Sequence, residues 1–404
     1  MTGAGPKEGR ILGPVEKHGV ERPGWYQRFG GGIDRLVAGP YWKLRALCAV
    51  VALALFRAFP NYDVLDTNFF QTKWRDVQVK FDHPLIDMSR IFSAGSHESK
   101  LTFRLTVPVL AHVLHLHEVG LLIVFAIAGV ALLYLVLKMA FALTGNKRVA
   151  LLVCLATACA WPGEAAFQEL RGGYYDALAL CLLLGACAAR SSLLVGALVF
   201  LAAWTDERAL LAASFVFLLY VYESTGDIRS WLAGKPAAVI VGAAAYLASR
   251  ESLTVAQSYT LATSGVGFAV LARQVNVIPI AIWSGLAGCW ILVCFGALAL
   301  FRQRRYFFSW VFCAAMAGMI VASLAVVDVT RSMAYCLPAL LVTLAALGKS
   351  ENVKRLEKLA AISAAISFLV PTFYLEGSTG LWLLYPLPIQ IARWMGAWTA
   401  RNPL

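Results

Sequence analysis

Four stretches between the apolar runs of this chain combine carboxylates with arginine, and they hold the residue types suited to proton transfer and phosphate binding. The first reads Asn61-Tyr62-Asp63-Val64-Leu65-Asp66, followed by Arg75-Asp76, then His97-Glu98-Ser99-Lys100 and Arg104. The second holds Glu164, Glu169, Arg171 and Asp176; the third is Thr205-Asp206-Glu207-Arg208; the fourth is Asp328-Val329-Thr330-Arg331. A carboxylate such as Asp63 or Asp66 can act as general base on a hydroxyl within hydrogen-bond reach. Arginine stays charged and grips phosphate bidentately, so Arg104, Arg171, Arg208 and Arg331, with Lys100 as auxiliary, are candidates for a lipid-phosphate leaving group. His97, Asp206, Glu207 and Asp328 join them as candidate substrate contacts. Each stretch also has a plainer reading. Asn and Asp make turns, Asp176 suits a helix start, and Thr205 can cap a helix whose first turn welcomes Asp206 and Glu207. Arg208 fits that plain reading poorly, because a cation in a first helical turn needs an anionic partner.

The elements that position these residues follow from the rest of the sequence. Of 404 residues, 60% are hydrophobic and only 14% charged. After Trp42 the chain is a succession of apolar runs of about 20 residues, the length that crosses a hydrocarbon layer as a helix. The interruptions alternate. Lys147-Arg148, Arg190, Arg302 to Arg305 and Lys349 to Lys358 are basic, whereas the other set carries the acid–arginine stretches. The basic loops predict a cytoplasmic side, and the acid–arginine stretches then share the opposite face. An all-α polytopic membrane protein is expected, with roughly 11 to 13 transmembrane or interfacial helices. The net charge of +12 reads as topology signal and lipid contact, and nucleic acid is excluded as a partner.

Residues 1–41 read as a cytoplasmic arm with a short interfacial helix near Trp25 to Leu36. Residues 42–404 read as a transmembrane domain with a large first outer loop at about 60–118. Within that loop Leu101 to Leu116 is expected as one helix, on the surface or spanning. Val277 to Phe301 is expected as one span, Arg250 to Asn276 as an outer loop, and Leu381 to Trp398 as a last span or interfacial helix. The nine cysteines suggest small buried hydrophobes. His112, His115 and His117 lack a carboxylate partner, so no metal and no cofactor is expected.

The chain resembles the GT-C superfamily of polytopic glycosyltransferases, which use polyprenyl-phosphate sugars. The resemblance is carried by the acidic pair Asp63 and Asp66 after the first span, and by a helix bearing Arg104 and Pro108. The strings Gly172-Gly173-Tyr174-Tyr175-Asp176-Ala177-Leu178 and Thr205-Asp206-Glu207-Arg208-Ala209-Leu210 add to it, looking like pieces of bacterial mannosyltransferase-like relatives. It covers residues 42 to 222; beyond them only general hydropathy and Asp328 to Arg331 match. The isolated Asp-Asp or Glu-Asp motif of many members is absent, leaving the base as Asp63 or Asp66. The resemblance implies inverting transfer from a lipid-phosphate sugar to a glycan or lipid acceptor, outside a bacterial inner membrane, with the N-terminus cytoplasmic. A transporter or flippase of a lipid-linked or anionic solute, or an envelope-polysaccharide polymerase or ligase, are the alternatives.

Overall fold

Apolar runs become helices, and a few are capped by a polar side chain, as by Asn146, Ser191 and Asn352 at the starts of their helices. The structure, a computed structural model, describes residues 25–60, 68–93, 96, 98–165, 167, 173–224, 231–259, 267–376, 379–381 and 385–396. The described chain is helical apart from one small hairpin, as the all-α expectation requires. Four helical stretches are long and apolar enough to cross a membrane: α5 (Glu118–Thr144), α11 (Gly234–Gln257), α15 (Tyr306–Leu324), and Val329–Ser350. The last comprises α16 (Val329–Ala334) and α17 (Leu337–Ser350). Shorter apolar helices pack among them: α6 (Lys147–Ala158), α8 (Asp176–Ala188), α9 (Ser192–Thr205) and α10 (Arg208–Glu223). The bundle is centred on α17, where every residue from Leu337 to Leu347 is buried.

The run Val277 to Phe301 is not a straight span. Preceded by α12 (Phe268–Arg273), it divides into α13 (Ile278–Leu286) and α14 (Cys289–Arg302). The chain bends by 87° between the two. Ala287 turns the chain with φ +46°, a conformation unfavourable for any residue with a Cβ. Gly288 follows because a Cβ there would lie 2.2 Å from the Ser363 carbonyl oxygen on α18 (Val353–Leu369). The same helix satisfies the broken ladder. Gly288 N–H donates to Ser367 Oγ at 2.9 Å, and Ser363 Oγ donates to the Gly288 carbonyl at 2.7 Å. A bend buried in apolar surroundings persists only with such partners.

Two further expectations are corrected, and the choice of span or short helix at Leu381 to Trp398 is decided. The stretch from Arg250 is not an outer loop throughout, since α11 continues to Gln257. Its polar side chains turn back on their own helix: Ser249, Ser252 and Thr254 donate to the carbonyls of Ala245, Ala248 and Arg250. The stretch Leu101 to Leu116 is not one helix. A 3-10 segment (Glu98–Phe103) precedes α4 (Thr106–Leu114), whose nine residues rise about 14 Å, too short to span. At the C-terminal end α19 (Leu387–Trp394) is likewise too short to cross; it packs on the end of α2 (Trp42–Arg57), with Trp394 edge-on to Phe59 at 5.7 Å.

The polar segment after α2 also contains a helix that its composition hid, α3 (Asn68–Asp82). Together with α4, its 3-10 turns and the start of α5 it encloses a separate apolar cluster of Trp74, Val77, Phe81, Met88, Leu101, Val107, Leu121 and Phe125. Lys80 is fully buried there and donates to the carbonyls of Ile86 and Thr102, both at 2.9 Å. In the N-terminal arm α1 (Trp25–Val37) packs Ile33, Leu36 and Val37 on the bundle and ties Asp34 to Arg148 at 2.6 Å.

Candidate functional site

Helix ends build the site. α8 begins at Asp176, α10 begins at Arg208, and Arg331 lies on the short α16 that precedes α17. Asp206 ends α9 and accepts from the Arg208 backbone N–H at 3.1 Å, a two-residue turn that reverses the chain. Arg104 follows the 3-10 segment, held to the same place because Leu105 N–H donates to the Trp204 carbonyl at 2.8 Å. Arg104, Asp176, Asp206, Arg208, Asp328 and Arg331 therefore meet at one end of the bundle, although up to 227 residues separate them in sequence (331 − 104).

Their pairing is continuous. Arg104 Nη2 lies 3.1 Å from Asp206 Oδ2, and Arg208 Nη2 lies 2.6 Å from the same oxygen. Arg208 Nη2 also reaches Asp176 Oδ1 at 3.0 Å, while Arg331 Nε holds Asp176 Oδ2 at 2.5 Å. Arg331 Nη1 then donates to Asp328 Oδ2 at 2.8 Å. Neutral groups complete the shell. Tyr335 OH donates to Asp176 at 3.1 Å, Tyr374 OH donates to Asp328 at 2.9 Å, and Arg208 Nη1 donates to Ser332 Oγ at 3.1 Å. Arg104 Nη1 donates to the Gly173 carbonyl at 2.9 Å. The Tyr174 ring covers the Arg331 guanidinium at 3.7 Å, and the Tyr335 ring faces Arg208 at 5.1 Å.

Three arginines thus neutralise three aspartates. Burial alone would raise the Asp206 carboxyl, but the charges of Arg104 and Arg208 outweigh it and hold the group below the usual carboxylate range. Breaking such a network at one member strands a charge in a poorly solvated place. Exposure separates its members. The side chains of Asp176, Asp206 and Arg331 are at most 2% exposed, whereas Asp328 is 25% and Glu207 44% exposed. Two N–H groups remain without a hydrogen-bond acceptor among the described residues, Arg331 Nη2 and Arg104 Nε, the latter 3.8 Å from Glu207 Oε2.

Of the residues singled out from sequence, Arg104, Asp206, Glu207, Arg208, Asp328 and Arg331 come together here. Lys100 lies on the 3-10 segment and makes no hydrogen bond or ion pair to the network among the described residues. Asp63, Asp66, His97 and Arg171, with Glu169, lie outside the described residues. Asp176 proves to be more than a helix-terminus acid, since it joins two arginines. Arg208 carried the one sequence signal for this, a cation at a helix start in want of an anion. Ser332, Tyr335 and Tyr374 gave no signal, because tyrosine and serine are equally at home in apolar runs and turns. A neighbouring buried cluster flanks Tyr374: Thr372 donates to Glu164 on α7 (Trp161–Ala165), and Trp161 packs against the Tyr374 ring at 5.4 Å. Among the described residues no group of three or more His, Cys, Asp or Glu is arranged to hold a metal ion. Comparison with family models, curated proteins and solved structures finds no match to this chain.

Proposed function

We propose that the protein is an integral-membrane glycosyltransferase of the GT-C type, moving a sugar from a polyprenyl-phosphate donor to a glycan or lipid hydroxyl on the extracytoplasmic side of a bacterial inner membrane. The observation that carries this reading is the convergence of Arg104, Arg208 and Arg331 with Asp176, Asp206 and Asp328 at one end of the bundle. The basic segments occupy the other ends of the same helices, which supports an outward-facing network and a cytoplasmic N-terminus.

In this reading a carboxylate, Asp63 or Asp66, takes the acceptor proton. The acceptor oxygen bonds to the anomeric carbon, and the sugar–phosphate C–O bond breaks with its electrons going to the phosphate. The buried arginines keep Asp176 and Asp206 ionised and in place. The more exposed Asp328 and Glu207 receive sugar hydroxyls, and Arg208, the most exposed of the three arginines, supports the departing phosphate. The many helices in or on the membrane expected from sequence belong to this proposal too, with the shorter ones lodged among neighbours.

Transport is the second reading, favoured by the 87° bend between α13 and α14, since broken helices line transporter sites. Against it, the backbone groups freed at Gly288 are already taken by Ser363 and Ser367. The deciding assay follows a labelled polyprenyl-phosphate sugar in proteoliposomes with Asp63→Asn, Asp66→Asn and Asp328→Asn. We expect at least one of the first two to abolish transfer and Asp328→Asn to raise KM. Full turnover in all three would overturn the proposal, and solute uptake without transfer would establish the transporter.

A further inference from the structure

A second charged cluster lies at the opposite pole. Helix α10 runs from Arg208 to Glu223 and α17 ends at Ser350, so their far ends lie about 20 Å from the network. There Tyr222 is fully buried and fixed: its hydroxyl donates to Gln303 Oε1 at 2.9 Å, and Gln303 Nε2 donates to the Ala346 carbonyl at 3.0 Å. Two cations crowd this one ring, Lys349 at 4.5 Å and Arg305 at 4.8 Å from its centre. Lys235 sits over the adjacent Tyr220 ring at 4.9 Å. Glu223 is close enough to feel Lys235 and Lys349 and offsets one of the three charges.

The ends of α10 and α17 account for the attraction of cations in general. They do not use the donors: Lys235 and Lys349 donate no hydrogen bond among the described residues, while Arg305 spends one N–H on the Tyr222 carbonyl at 3.2 Å. An apolar surface adjoins them. Tyr306, Phe307 and Trp310, at the start of the membrane-length α15, are 57%, 64% and 66% exposed. Phe307 stacks on Trp231 at 5.6 Å. Unspent cationic donors beside exposed aromatics, at the end of a membrane-length helix, match a phosphate headgroup with its acyl chains alongside.

We infer that Lys235, Arg305 and Lys349 form a binding site for the headgroup of an anionic phospholipid, whose chains lie along Phe307 and Trp310. This site is independent of the transferase reading, and its test uses no sugar donor. Native mass spectrometry of the full chain in detergent, titrated with phosphatidylglycerol or phosphatidylcholine, would count retained lipids. We expect one phosphatidylglycerol held in preference to phosphatidylcholine. In Lys235→Gln/Arg305→Gln/Lys349→Gln its affinity should fall by about a hundredfold, since each cation near an anionic headgroup contributes roughly fivefold. Arg305→Lys/Lys349→Arg keeps the charge and should keep the lipid, which separates lost binding from lost folding. Phe307→Ala/Trp310→Ala should weaken retention while leaving the cations intact. Equal retention of both lipids, or unchanged phosphatidylglycerol affinity in the triple variant, would overturn the site. Displacement of the lipid by millimolar inorganic phosphate would assign the site to a soluble anion and overturn the lipid.

Discussion

Asp176 is the residue on which the buried network turns, because it alone partners both Arg208 and Arg331. Asp176→Asn keeps the shape but leaves two guanidinium groups short of charge. The expected cost is about 3–5 kcal/mol, read as a fall in the thermal unfolding midpoint in detergent. Asp328→Asn, more exposed and ion-paired among the described residues with Arg331, should cost well under half of that; equal losses would show that the network is not a coupled unit. Lys80 sets a second residue-scale expectation. Burial pushes its ammonium down to about 7, against the opposing pull of Asp87. A neutral amine has two N–H groups, matching the two carbonyls it serves. The unfolded chain holds this proton up to about pH 10.5 and the folded chain does not, so stability rises with pH across the window from about 7 to 10.5. Proteolysis of the segment between α2 and α5 should therefore slow from pH 7 to pH 9. Lys80→Met should flatten that dependence, and an unchanged slope in this variant would assign it to another group.

Among the elements, the junction of α13 and α14 concentrates conformational strain. Ala287 holds a positive φ that glycine adopts freely. Ala287→Gly should stabilise the fold by about 1 kcal/mol, whereas Gly288→Ala should destabilise it by about 1–3 kcal/mol, since the new methyl meets the α18 backbone. The two adjacent substitutions should shift the unfolding midpoint in opposite directions; shifts of the same sign would mean that the bend is not fixed as described. The junction also shows why hydropathy misleads at this scale. A bent pair and a straight span have the same apolar composition, and only the serines of α18, 75 and 79 residues away, make the bend tolerable.

At the scale of the whole molecule the charges separate into two poles joined by α10 and α17. One pole is a balanced acid–arginine network; the other is cationic and carries Arg302, Arg305, Lys349 and Arg355. Single cysteines at Glu207 and Lys349, both accessible, test this arrangement in a background lacking the exposed Cys48 and Cys294. A membrane-impermeant maleimide should label position 207 from outside intact cells and position 349 only after lysis. Labelling of both from the same side would remove the transverse polarity on which the functional proposal depends.

Composition and charge spacing determined the helical character of the chain and the existence of acid–arginine clusters, because burial of apolar runs and the cost of isolated charge act locally. The short range of those signals is also their limit. Nothing near Asp176 in sequence announces Arg208 or Arg331, and nothing near Ala287 announces Ser363. The tertiary structure alone decided that these groups meet, since a long-range contact depends on how several helices pack together rather than on any one of them. It also turned the polar first segment into a small packed unit, because Trp74, Phe81 and Leu101 find apolar partners on α4 and α5 that their own neighbours do not supply.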